Sequence, residues 1–127
     1  VGLKELIKAM YLEMPPMGFS VKKTGKDLTR WQGTSQVQVS RYSGATLEGE
    51  IHELSSTSCA PARVLENEFY EKGVLAVSID RHELAPKEKT NVYIVRRSVA
   101  QRQMDELTRK YNPLDISGGN RQERERQ

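Results

Sequence analysis

Cysteine is nearly absent from this chain, whose 127 residues include Cys59 and no second thiol. A lone cysteine excludes an internal disulfide and a cysteine-based zinc site, so we expect a reducing compartment, either cytoplasm or nucleus. Histidine is scarce as well, and neither His52 nor His82 belongs to an HExxH or CxxC pattern. The sequence also lacks GxxxxGK[ST] and GxGxxG, the glycine loops that hold nucleotide phosphates. We therefore expect no metal and no other cofactor.

Long apolar runs are missing too. No stretch approaches the roughly 18 consecutive apolar residues of a membrane-spanning helix, and the start does not resemble a secretory signal. These absences predict a soluble protein without a membrane partner. Because the chain opens on Val1 and enters a helical pattern at once, we expect it to be a domain of a larger protein. Its net charge of +3 favours anionic partners only if the cations cluster.

The first half of the chain combines a helix pattern with strand patterns. Apolar residues recur at helical spacing from Leu3 to Met14, and Pro15 follows as a helix breaker. Between residues 17 and 54 apolar and polar residues alternate, which predicts half-buried strands. The turn sequence YSGA at 42–45 indicates a tight hairpin within this region.

In the second half, Pro61 and the apolar residues that follow it at helical spacing predict another helix, which ends at Gly73. The sequence VLAVSI at 74–79 is the most apolar strand, and we expect it at the centre of the sheet. For the last helix, Ser98 and Gln101 match a capping box. Its inward stripe comprises Ala100, Met104, Leu107 and Tyr111, and Asn112 and Pro113 end it.

These patterns predict an α+β fold, with an antiparallel sheet of about five strands and about three helices packed on one face. A single domain is expected over residues 1–116. The remaining residues, 117–127, have no apolar side chain and alternate in charge sign, which is typical of a flexible tail or linker.

Catalytic residues are hard to find in this sequence. Cys59 together with a histidine would make a thiol and base pair, but a single loop cysteine is usually inert. Glu48 and Glu50 project to one face of a strand, as paired acids in a hydrolase would. The ordinary interpretation is that these two acids form the solvent face of an amphipathic strand. An enzyme is therefore the less favoured hypothesis.

Cations do cluster, close to aromatic residues. Guanidinium and ammonium groups hold phosphates, and aromatic faces stack on bases, so the pattern is typical of a groove for RNA or single strands. Trp31 is about as easily a core residue as a stacking platform, whereas Tyr42, beside a hairpin, is expected to be exposed. The predicted nucleic-acid-binding residues are Lys22, Lys23, Lys26, Arg30, Trp31, Arg41, Tyr42, Arg96, Arg97 and Arg102.

Two of these arginines, Arg96 and Arg97, precede a helix whose N-cap is Ser98. Unpaired amides, the positive end of the helix dipole and Arg102 one turn further on would together favour a bound phosphate. The alternative is that Glu68, Glu71, Asp105 or Glu106 neutralises the arginines, or that both arginines are simply solvated.

The segments GFSVKKTG at 18–25 and WQGTSQVQVSRYSGATLEGEI at 31–51 resemble the sheet of cap-binding domains in polymerases of segmented negative-strand RNA viruses. This resemblance implies a domain of a viral RNA polymerase. It rests on strand and turn residues, with only Trp31 and Tyr42 available as the paired aromatics that clamp a methylated guanine, so it does not establish family membership.

The main hypothesis is a non-enzymatic nucleic-acid-binding module. The alternative hypothesis is a protein interaction or assembly domain of a larger complex, with other subunits as partners. Mixed-sign charge and the lack of a catalytic set support this alternative.

Overall fold

The computed structural model describes residues 2–29 and 33–111 as two α-helices, seven strands and one 3₁₀ helix. Strands β1 (Ser20–Asp27), β2 (Thr34–Ser43), β3 (Leu47–Ser56), β7 (Lys89–Arg97) and β5 (Val74–Ile79), in that order, form an antiparallel sheet, while β4 (Ala62–Arg63) pairs with β6 (Glu83–Leu84). The predicted α+β fold with a five-stranded antiparallel sheet is confirmed. In chain order the elements are α1 (Leu3–Leu12), β1 (Ser20–Asp27), β2 (Thr34–Ser43), β3 (Leu47–Ser56), β4 (Ala62–Arg63), the 3₁₀ helix (Glu66–Phe69), β5 (Val74–Ile79), β6 (Glu83–Leu84), β7 (Lys89–Arg97) and α2 (Val99–Tyr111).

Two α-helices are described where about three were predicted, because the segment after Pro61 does not form an α-helix. Ala62 instead pairs with Leu84, and Val64 N donates to His82 O at 2.7 Å. This pairing between β4 and β6 holds the backbone extended and places Val64 in the core. The only helical turn left in this segment is the 3₁₀ helix that ends at Phe69. Tertiary pairing thus overrides the local helical spacing.

The expectation that 74–79 lies at the centre of the sheet is wrong, since β5 is an edge strand and β3 is the central one. The apolar character of β5 has another cause. Ala76 packs toward α1 on one face of the sheet, and Val74 and Val77 pack toward the 3₁₀ segment on the other. The apolar composition of β5 therefore results from the covering of both of its faces and not from a central position in the sheet.

Each face of the sheet carries its own hydrophobic cluster. On one face α1 contributes Leu6 and Met10. On the opposite face the segment from β4 to β6 contributes Val64, Phe69 and Leu84. The sheet is therefore covered on both of its faces, whereas the prediction placed the helices on one face.

Helix α1 approaches β3 closely at Gly49. A Cβ atom placed there would lie 2.6 Å from Met10 Sδ, so any larger residue requires Met10 to move. Leu47, Gly49 and Ile51 consequently face α1, and the residues between them face the other side of the sheet.

The predicted end of the last helix, the domain boundary at 116 and the tail at 117–127 lie outside the described residues. Within the described ranges no helix is long and apolar enough to cross a bilayer.

Candidate functional site

The three predicted lysines lie on β1, an exposed edge strand. Lys22 is opposite Arg41 and Lys26 is opposite Gln38, so these side chains share one face, whereas Lys23 lies opposite Ser40 on the other face. The lysines therefore do not line one groove. Arg30 and Trp31 lie outside the described residues.

Tyr42 is buried, with 3% of its surface exposed, and the expectation that it stacks on a base from an exposed position is wrong. The reason is its register: Tyr42 lies opposite Gly49, on the face that α1 covers, and packs in the cluster around Leu6. Burial, and then the negative charge of Glu13, raises the pKa of the Tyr42 hydroxyl.

Carboxylates accompany the predicted arginines of β7 and α2. Arg96 Nε lies 3.2 Å from Glu50 Oε2, and Arg96 Nη2 lies 3.5 Å from Glu71 Oε1. In the next two pairs Arg97 is 3.4 Å from Asp105 and Arg102 is 3.7 Å from Glu48. The structure thus matches the alternative of local neutralisation more closely than convergence on a phosphate.

A buried polar chain, which the sequence did not single out, crosses from β2 to β7. Gln36 Nε2 lies 2.9 Å from His52 Nδ1, and His52 Nε2 lies 2.9 Å from Glu50 Oε1. Glu50 then reaches Arg96. The available sequence signal was the alternation of polar residues along both strands. This alternation predicts a solvent-exposed face, and for that reason the sequence did not indicate a buried polar chain. Because β3 is the central strand and that face is covered, Glu48 and Glu50 are buried.

Electrostatics keep the Glu50 carboxylate charged despite its burial. Burial alone would raise its pKa, but the hydrogen bond with His52 and the charge of Arg96 outweigh it, and the pKa lies below its ordinary value. With Gln36 donating to Nδ1, the His52 Nε2–H donates to Glu50. His52 is only 2% exposed, and both of its ring nitrogens contact side chains inside the sheet.

Among the described residues, no three His, Cys, Asp or Glu side chains are grouped so as to hold a metal ion. Cys59 is exposed, and no described contact joins it to a histidine.

Helix α2 displays an apolar stripe to solvent. Ser98 Oγ accepts a hydrogen bond from Gln101 N at 3.0 Å, as the N-cap prediction requires. The reciprocal half of the capping box is not made, because Ser98 N donates to Thr46 O and Gln101 Nε2 donates to Asp105. Met104 is 59% exposed and Leu107 is 52% exposed, so these two residues of the predicted inward stripe face outward.

The orientation of α2 follows from its charged side. Arg102 reaches Glu48 on the sheet, and Asp105 reaches Arg97 at the end of β7. On a helix, residues 102 and 105 lie on the side opposite 104 and 107, given 100° per residue. The polar side of α2 therefore faces its own domain, and the apolar side faces away.

These features describe an α+β domain that exposes the apolar residues Met104 and Leu107 of its second helix. Residues 2–96 match the TraK C-terminal domain family, and the chain belongs to this family. No curated protein matches the chain. The family match ends just before α2.

Membership of this family overturns the main hypothesis, because it points to a conjugal transfer protein and not to a nucleic-acid-binding module. An RNA partner is not supported. The resemblance to viral cap-binding domains does not survive either, since its segments lie inside the matched range.

Proposed function

We propose that this chain is a protein interaction domain that connects its parent protein to other subunits of a conjugal transfer complex. Family membership supports the setting, because TraK is a conjugation protein that acts within a multi-subunit complex. It also favours the alternative of an assembly domain over the nucleic-acid hypothesis.

The observation that carries this proposal is the outward-facing apolar side of α2. An amphipathic helix normally buries this side against its own domain. Here the ion pair of Arg102 with Glu48 and the hydrogen bond from Ser98 Oγ to Ala45 O, 2.7 Å long, hold the helix the other way. A partner that covers Met104 and Leu107 would gain about 1.5 to 3 kcal/mol for each side chain fully buried.

A second apolar group lies at the end of α1. Tyr11, Leu12 and Met14 are each more than half exposed, and Met17 is 98% exposed. Methionine side chains adapt to irregular partner surfaces. Two separate exposed apolar groups are more easily explained by a complex than by an isolated domain.

The test uses the full-length parent protein in conjugating cells. Met104→Glu combined with Leu107→Glu places two charges on the stripe while keeping good helix formers. We expect transfer frequency to fall by about tenfold or more, and co-purification of other transfer subunits to be lost, since about 3 kcal/mol of contact would be removed.

The matched control is Thr57→Glu with Lys87→Gln, two exposed loop positions away from α2 that give the same change in net charge. It should leave transfer and co-purification unchanged. Circular dichroism must show both double variants folded. Normal transfer and normal co-purification with the charged stripe would refute the proposal.

A further inference from the structure

A groove of about 460 Å³ separates the polar side of α2 from the turn before β5. Four cationic side chains line it: Lys72, Arg97, Arg102 and Arg109. Two carboxylates, Asp105 and Glu106, line it as well. Cations therefore outnumber acids, and the groove favours a ligand with about two negative charges.

Two of the three arginines of this groove, Arg97 and Arg109, are held only weakly by their present partners, whereas Arg102 stays paired with Glu48. Arg97 and Asp105 are 3.4 Å apart, and each is about half exposed. Arg109 and Glu106 are 3.9 Å apart and still more exposed. Exposed ion pairs contribute about 0 to 1 kcal/mol, so an incoming anion can recruit these guanidinium groups at little cost.

Lys72 strengthens the case from the opposite wall. It is exposed, and it makes no ion pair with any described residue. Its ammonium group therefore remains available to an incoming anion.

We propose that this groove binds an acidic segment of a partner protein through one or two carboxylates. The inference rests on the proposed function and names the chemistry of the partner. Guanidinium groups match carboxylates in paired hydrogen bonds. Asp105 and Glu106, with Glu48 close by, would repel a run of phosphodiesters, but they leave room for a short acidic stretch with neutral neighbours.

The test is a titration of the isotopically labelled chain, followed by NMR at low ionic strength. The probe is a capped peptide of four glutamates separated by glycines, and its partner probe has glutamine in place of each glutamate. We expect the glutamate peptide to bind at least about tenfold more tightly, to shift the amides near Lys72 and Arg109, and to weaken at physiological salt.

Single neutralising variants locate the site. Lys72→Gln and Arg109→Gln should each weaken binding of the glutamate peptide by about threefold or more, because each removes one charge from the groove. Lys110→Gln, on the same helix but outside this groove, and Lys23→Gln on β1 are the matched controls and should change it by less than about twofold.

Equal binding of the two peptides, amide shifts confined to another surface, or unchanged binding by Lys72→Gln and Arg109→Gln would overturn the inference. Tighter binding of a single-stranded oligonucleotide with the same charge at this groove would overturn it too. The two proposals fail separately. If the glutamate peptide does not bind but the Met104→Glu with Leu107→Glu variant loses co-purification, only the groove proposal is refuted. If the peptide binds and that variant assembles normally, only the proposal for the apolar side of α2 is refuted.

Discussion

At the scale of single residues, Glu50 links neighbouring strands of the sheet through its contact with Arg96. Its carboxylate lies between His52 and Arg96 in a covered part of the face, with Arg41 near enough to affect its charge. A buried ion pair adds little over a well-packed apolar pair, but removing Glu50 leaves Arg96 with the more exposed Glu71 as its described carboxylate partner. Glu50 is therefore needed because Arg96 is there.

Glu50→Gln should lower the free energy of unfolding by about 3 kcal/mol at neutral pH, since Arg96 loses its buried partner. The pH dependence has a definite sign. Because the folded-state pKa lies below the ordinary value of 4.5, the stabilisation is present above that pH and is lost as pH falls through the lower folded-state pKa. Urea unfolding of wild type and variant from pH 7 down to about 3 measures this.

The wild type should lose stability in acid more steeply than Glu50→Gln does. Glu106→Gln, which changes an exposed carboxylate, is the control and should keep the wild-type slope. Parallel slopes in wild type and Glu50→Gln would contradict the assignment.

At the scale of elements, α2 is separable from the rest of the domain. Its described links to the sheet are the Ser98 hydrogen bonds, the exposed ion pair of Arg97 with Asp105, and the ion pair of Arg102 with the mostly buried Glu48. Neither hydrophobic cluster includes an α2 residue.

A chain that ends after Ser98 should therefore keep its sheet, because Ser98 retains its bonds to the β2–β3 turn. We expect its free energy of unfolding to fall by about 1 to 3 kcal/mol, because the exposed Arg97–Asp105 pair contributes up to about 1 kcal/mol and the mostly buried Glu48 loses Arg102. Denaturant unfolding monitored by circular dichroism is the measurement. A collapse of cooperativity would show that α2 belongs to the core after all.

Local signals account for the elements that the sequence predicted well. Helix α1, the β2–β3 hairpin and the start of α2 depend on residues that are close in sequence, such as the Ser98 hydroxyl and the Gln101 amide. The direction in which α2 faces was not predictable, because it depends on bonds from Ser98 to Ala45 and Thr46 on a distant turn.

The contacts of the candidate site were also hard to predict, because they too join residues that are distant in the sequence. Arg96 reads as a free cation in sequence, yet its carboxylate partner, Glu50, is 46 residues away. Tyr42 reads as a turn residue, yet its face is decided by register with Gly49. Charge clusters cannot be weighed until the acids that fold beside them are known.

At the scale of the whole molecule, the lysines of β1 have a structural explanation. As an edge strand, β1 exposes backbone groups that would pair with another chain. Lysines on an edge oppose such pairing.

Replacing Lys22, Lys23 and Lys26 together with threonine should lower solubility and raise light scattering, because the edge loses its repulsive charge. The control replaces Lys4, Lys8 and Lys110, three helical lysines, with the same residue. If both triple variants scatter light equally, net charge and not edge protection explains the lysines.

Strand β7 lies inside the sheet, between β3 and β5, and leads directly into α2. A subunit that pulls on α2 would therefore apply force to a strand that is hydrogen-bonded along both of its sides. Pulling β7 out of the sheet requires its hydrogen bonds to β3 and to β5 to break together. We therefore expect the sheet to resist a force that is applied through α2.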